Sequence, residues 1–148
     1  MTFPYATNLG DRDPLAVLSS TAAQIAAIDP SRYATPWASG KWTIGQIIAH
    51  LADCEVAFSF RLRQAAAEPN YIIQSFDQDL WAGSYPTVDP AAALFVFLSV
   101  RAWSVAFLQA LPPEVFDKTV QHPDFGPMKF RNIVEIIAGH DLNHLAQL

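Results

Sequence analysis

Gly139-His140-Asp141-Leu142-Asn143-His144-Leu145-Ala146-Gln147-Leu148 is the stretch on which the reading of this chain turns. Its two histidines are four residues apart, so on a helix they stand one above the other and their imidazoles can converge on one point. Phe130, Ile133, Val134, Ile136 and Ile137 ahead of them step by threes and fours along the same stripe, which makes it the buried face of a helix. His50 belongs to a second apolar helix, in Ile47-Ile48-Ala49-His50-Leu51, on the flank of the stripe of Ile47, Leu51, Cys54 and Phe58. Three neutral imidazoles from two packed helices would hold a metal and leave a position for water or substrate.

Two more helices read outward from these. Asp13-Pro14 is an N-cap followed by proline at N1, with Leu15, Leu18, Ala22, Ile25 and Ile28 at helical spacing until Pro30. Thr43-Ile44-Gly45-Gln46 is a capping box that opens the His50 helix, which runs to about Glu68 before Pro69. Asp89-Pro90 opens another, with Leu94, Phe97, Leu98, Val105, Leu108 and Leu111 as its inner face and Pro112-Pro113 as its stop. The connections 29–42, 69–88 and 112–129 are long, and loops of such length are commonly functional or packed over core ends. Residues 120–129 suit a small hairpin-like turn. The sequence predicts an all-α, four-helix bundle with long connecting loops, a single domain over residues 1–148.

Composition narrows the function. The chain is 51% hydrophobic and 16% charged, the balance of a compact globule. A formal charge of -5 and no basic cluster beyond Arg61-Leu62-Arg63 argue against nucleic acid as a partner. The apolar runs are broken by polar residues short of ~18 positions, which argues against a membrane-spanning helix. The N-terminus lacks the charged and apolar regions of a secretory signal, and the lone Cys54 suits a reducing compartment, so a cytoplasmic protein is expected.

The remaining polar residues are weighed singly. A single buried histidine is ordinarily a hydrogen-bonded core residue, but two at i and i+4 on a buried face bring two lone pairs that a shared cation satisfies. Asp53 and Asp141 are candidates to receive imidazole N–H groups and so orient the ligands; Asp141 reads equally as a solvated helix residue. Cys54 is four residues from His50 and could approach a metal, although free cysteine is more often a small buried apolar residue. Glu55 projects away from His50, as a surface or inter-helix ion-pair residue. Arg61 and Arg101, isolated cations in apolar helices, could bind an anionic substrate group or pair with Asp or Glu. His122, before a proline in a loop, reads as exposed. The zincin motif fails, because Asp141 replaces its glutamate and no third ligand follows. The di-iron pattern fails for want of Glu-x-x-His. The helix of His140 and His144 also stops within a turn of His144, so its end must be held, by dimer contacts or by further residues.

Trp42 through Glu55, Arg101, Gly126 and the ending Ile137 to Gln147 together resemble the DinB-like superfamily of bacterial four-helix bundles. That superfamily includes YfiT-type metal-dependent hydrolases and thiol-dependent S-transferases. The resemblance implies an up-down-down-up bundle, often a homodimer, whose metal triad falls on His50, His140 and His144. It implies a divalent metal, zinc or nickel foremost, and a small-molecule substrate. The reaction would be hydrolysis or transfer of a low-molecular-weight thiol; the alternative is a non-catalytic bundle whose metal has a structural or stress-related role.

Overall fold

A computed structural model describes residues 3–148. The chain runs α1 (Ala6–Leu9), α2 (Pro14–Ala26), α3 (Ile44–Ala67), α4 (Gln78–Ala82) and α5 (Pro90–Ala110). It then forms the antiparallel hairpin β1 (Thr119–His122) and β2 (Gly126–Lys129), and ends in α6 (Phe130–Leu145). The helix starts follow from side chains that satisfy the first free N–H groups. Asp13 accepts from Leu15 N ahead of Pro14, Asp89 accepts from Ala91 N ahead of Pro90, and Thr43 and Gln46 form a reciprocal box. Hairpin and α6 share a boundary, where Lys129 N donates to Asn132 Oδ1 at 2.8 Å.

The four long helices make the bundle, with α3 against α5, α2 against α6, α2 against α5 and α3 against α6. Consecutive helices α2 and α3 therefore face each other across a diagonal. Gly45 lies so close to Pro90 that an added Cβ would sit 2.7 Å from its ring, and further along Arg63 stacks over Phe107 at 4.3 Å. These contacts make α3 and α5 run side by side in the same direction. A chain that leaves α3, of 24 residues, must travel back about 36 Å to begin α5. The long 68–89 connection is that return path. It is not loose: Ile73 N donates to Gln121 O (2.8 Å) and Gln121 N to Tyr71 O (3.0 Å), which fastens the connection to β1.

Two apolar clusters fill the interior. One gathers Leu18, Leu62, Leu108, Phe130 and Ile137; the other gathers Ile25, Ile48, Leu51, Tyr85 and Phe97. Truncating a fully buried residue such as Phe97 or Phe130 to alanine costs on the order of 3–5 kcal/mol. Between the clusters the core turns polar, and that is where the chemistry lies.

Two expectations need correcting. The inner face of α5 is Ala93, Phe97, Arg101, Ser104 and Leu108, whereas Leu94, Leu98 and Val105 are only half-buried. An almost uniformly apolar helix hides its period, so hydrophobicity alone could not place its buried side. The expectation that no apolar run is long enough to cross a membrane also fails. By length and composition α5 is, with 21 residues and a mean hydropathy of 1.9 over its most apolar 18. Its one charged residue, Arg101, is turned into the bundle and ion-paired there, where one charge in 21 residues does not interrupt the apolar run.

Candidate metal centre

His50 enters from the middle of the first half of α3; His140 and His144 enter from the last two turns of α6. All three are buried. One ligand nitrogen from each lies within 4.8 Å of the others, and His50 Nε2 stands 3.1 Å from His140 Nε2. Two nitrogens that share a tetrahedral zinc at 2.0–2.1 Å would be about 3.3 Å apart, so this spacing fits a common cation closely. His144 Nδ1 pairs with Gln147 Oε1 at 2.8 Å. A proton on Nδ1 leaves the Nε2 lone pair free for the shared point, the tautomer that a metal ligand needs.

The electrostatics agree with neutral ligands. Burial and the neighbouring His144 push the His50 imidazolium pKa down to about 4. Burial, with His144, His50 and Arg101 adding to it, holds His140 far below the ordinary histidine value. Burial also lowers His144, against the opposing pull of Gln147 and Asp141. At neutral pH all three present lone pairs without having to lose a proton.

The residues around the triad were only partly foreseen. Cys54 Sγ lies 3.6 Å from His50 Nε2, and burial pushes its thiol up to about 12, so it faces the triad as a neutral, small side chain. Aromatic rings form a collar: Tyr5 and Phe58 pack edge-on against His140 at 5.3 and 5.7 Å, and Trp42 lies 5.2 Å from His50 with Tyr85 behind it. Tyr5 was not anticipated. The N-terminal segment lies directly on α6 at Gly139, where a Cβ would come within 2.4 Å of Tyr5 O. Tyr5 also holds a left-handed backbone (φ 61°), a costly conformation for a residue with a side chain. The glycine immediately before His140 was the sequence signal for this close approach.

Asp53 and Asp141 do not reach imidazole N–H groups. Asp53 is half-buried near Tyr85; burial raises its carboxyl, and the Tyr85 hydroxyl draws it back. Asp141 is fully buried and points about 100° around α6 from His140. There its Oδ1 accepts from Arg101 Nη2 at 3.0 Å, and its Oδ2 accepts from Thr21 (2.6 Å) and from Arg101 Nη1. Arg101 completes the set by donating Nε (3.0 Å) and Nη2 (2.6 Å) to Glu55 Oε2. Glu55 is thus an inter-helix ion-pair residue with 2% exposure, not a surface one. Arg101 is not available to a substrate, because two carboxylates enclose its guanidinium. Burial opposes the cation, but Asp141 and Glu55 outweigh it and hold the arginine above its usual pKa. This network ties α2, α3, α5 and α6 together directly behind the triad. Arg61 is placed otherwise: its Nη2 donates to Gln74 O (2.8 Å), and among the described residues it has no carboxylate partner.

The end of α6 is secured by its own chain. Arg32 donates to Leu148 O at 2.7 Å, and Leu145 and Leu148 pack on the apolar cluster near Ile25. A cavity of about 570 Å³ lies elsewhere, at the Asp13–Leu111 end of the bundle and away from all three histidines.

A bundle of this topology with three inward imidazoles on two helices defines a class of metal-binding protein. The DinB superfamily profile matches residues 16–148, and the chain belongs to that superfamily. A protein of Oceanobacillus iheyensis named "Putative metal-dependent hydrolase" is 32% identical over 117 residues, 77% of this chain and 67% of that protein. A Bacillus mycoides protein of the same description is 28% identical over 86% of this chain and 74% of its own. Among solved structures, YfiT from Bacillus subtilis, described as a probable metal-dependent hydrolase with an unusual four-helix bundle topology, superposes with a TM-score of 0.79. It shares 24% identity, with 90% of this chain and 81% of that one covered. A mycothiol-dependent maleylpyruvate isomerase superposes with a TM-score of 0.68 at 16% identity, covering all of this chain but 63% of that one.

Proposed function

We propose that this protein binds one divalent metal through His50, His140 and His144 and uses it in a metal-dependent hydrolysis. The observation that carries the reading is the convergence of three buried, neutral imidazole ligands from two helices, inside a collar of aromatic rings. The names of the relatives support the hydrolytic form. Zinc or nickel suits an all-imidazole site. Such a metal, when bound, supplies a Lewis acid that lowers the pKa of a coordinated water or thiol. The chain's own residues hold the three lone pairs in register, keep the pocket wall neutral at Cys54 and limit water access with Tyr5, Trp42 and Phe58. Transfer of a low-molecular-weight thiol is the second reading, favoured by the fold shared with the mycothiol-dependent isomerase. A structural, non-catalytic metal would need a fourth protein ligand; among the described residues the mutually close group is the three histidines, with Cys54 beside them at 3.6 Å from His50 Nε2.

Cobalt substitution tests this. An open three-histidine site is expected to show visible absorption bands that shift when azide or small thiols are added. Bands indifferent to every added ligand would refute an open site and favour a structural metal. Turnover of ester, amide and thiol substrates by the metal-loaded protein then separates the two catalytic readings.

We further propose a homodimer through the outer face of α5. Ala92, Val96, Ser99, Trp103, Ala106 and Ala110 recur at alternating four- and three-residue steps on that face, the spacing of a helix–helix seam. Phe95 is 73% exposed, Trp103 62%, and Phe60 of α3 60%. At those exposures each aromatic offers roughly 100–150 Å². Together they supply about half of the ~800 Å² per partner that a stable interface buries, with Val56, Val96 and the alanines to add. The α5 residues of that face are uncharged, and the Arg63 guanidinium of α3 lies over the Trp103 ring at 4.6 Å beside them. Light scattering is expected to report a dimer that Trp103→Glu converts to a monomer. A monomeric wild type, or partition of α5 into lipid vesicles, would overturn the proposal.

A further inference from the structure

His50, Cys54, Phe58 and Arg61 fall at steps of four, four and three residues on α3, so one stripe leads from the triad toward Arg61. Phe58 bridges the interval. Its ring packs against His140 with centroids 5.7 Å apart, and the Arg61 guanidinium carbon stands 5.7 Å from the same ring. The guanidinium is therefore within about 11 Å of the His140 imidazole. Phe76, from the 69–88 connection, flanks it on the other side at 5.2 Å. These rings and the single bond to Gln74 O position Arg61 without neutralising it.

A cavity of about 290 Å³ opens beside this cation, walled by Phe60, Tyr71, Phe76 and Trp81. Tyr71 is only 7% exposed, and its hydroxyl donates to no acceptor, although the Gln74 backbone approaches it. A buried hydroxyl without an acceptor costs free energy in the folded protein, and one beside an uncompensated guanidinium is matched to an anion that accepts from both. Burial raises the Tyr71 phenol further above neutral pH, so the hydroxyl keeps the proton it would donate. The cavity thus combines one charged fork, one spare O–H donor and aromatic walls, the chemistry that recognises a carboxylate on an apolar or planar body.

We propose that Arg61 and Tyr71 form a carboxylate-binding subsite, and that the natural substrate is an extended molecule with its reacting group at the metal and a carboxylate at Arg61. This rests on the metal reading above and adds the substrate class to it. Arg61 then acts in specificity and positioning: the anion fixes one end, and Phe58 aligns the body between the two sites.

The test uses zinc-loaded protein and two hydroxamates of equal chain length, suberic acid monohydroxamate and octanohydroxamic acid. Each carries a metal-binding head, and only the first carries a terminal carboxylate. Calorimetry is expected to show the carboxylate compound binding about tenfold more tightly in the wild type, with the preference weakened by salt. Arg61→Ala should abolish the preference while leaving octanohydroxamic acid unaffected, Arg61→Lys should keep part of it, and Tyr71→Phe should reduce it. Equal affinity for the two compounds in the wild type, or a preference unchanged in Arg61→Ala, would overturn the subsite and leave the metal site standing. Failure of both compounds to bind zinc-loaded protein would instead refute the open metal site, and the subsite's role in catalysis would fall with it.

Discussion

Arg101→Met is expected to lose about 3–5 kcal/mol of folding stability, among the largest single effects available in this chain. The guanidinium is buried and donates to both Glu55 and Asp141, and each carboxylate is at most 2% exposed. Methionine fills much of the same volume, so the loss would come from two buried carboxylates left facing each other without a cation, not from a cavity. For a chain of this size that corresponds to a midpoint of thermal unfolding lowered by roughly 6–20 °C. Neutralising the acids together, as Glu55→Gln and Asp141→Asn in the Arg101→Met background, should recover a large part of it, because the cost of stranded charge disappears. Arg101→Met within 1 kcal/mol of wild type in urea unfolding would show that the carboxylates find water or protons cheaply, and that the network is not what locks the four helices.

The network matters for the site because of where it sits. Asp141 follows His140 in the chain and points about 100° around α6 from it, so α6 is clamped to α2 and α5 by one residue while the one before it presents a ligand. Glu55 does the same for α3, one residue after Cys54. A displacement of either helix would spread the imidazoles beyond reach of one cation. The polar layer behind the triad is therefore the fold's means of holding ligand spacing, through donors and acceptors on four separate helices.

That layer also marks what could not be read from the sequence. The histidines declared themselves, since i, i+4 spacing on an apolar stripe is a local pattern, and the caps at Asp13, Thr43 and Asp89 are local too. His50 stood out on its own apolar helix, and resemblance to the superfamily then tied it to the α6 pair, a link that spacing alone does not make. Arg101, Glu55, Asp141 and Thr21 are paired across 40 to 120 residues, and no periodicity reports such partners. Arg101 consequently read as either a substrate-binding or an ion-paired cation, and Glu55 as either a surface or an inter-helix residue, with nothing in the sequence to choose between them. Tyr5 was hidden because α1 has four residues and no repeat, so the N-terminal segment looked like a tail when it is a wall of the pocket.

Removing a single triad imidazole is expected to weaken metal binding by about 10²–10³-fold, because zinc binding worth about 10–16 kcal/mol in four-ligand sites is shared by few donors. His50→Ala, His140→Ala and His144→Ala should each fall from about one bound metal to little after dialysis, measured by plasma emission spectrometry. His122→Ala is the control: its imidazole stacks on Phe125 in the hairpin and its Nδ1 accepts from Asp124 N, outside the cluster. The pH behaviour gives a second signature. An ordinary imidazole would release metal near pH ~6.5, but burial depresses all three here, to about 4 for His50. In the folded apoprotein, protons therefore do not compete in earnest until well below 6.5. In the unfolded chain the same histidines charge near 6.5, so the metal-free fold is at full strength above that value and loses stability as pH falls through it toward 4. Metal affinity should accordingly hold nearly level from pH 8 to about 6 and then drop together with the stability of the apoprotein. Near-full occupancy in all three alanine variants would sink the triad. A release midpoint at 6.5 with the apoprotein still fully folded would show that the imidazoles are not the desolvated, neutral ligands that their burial implies.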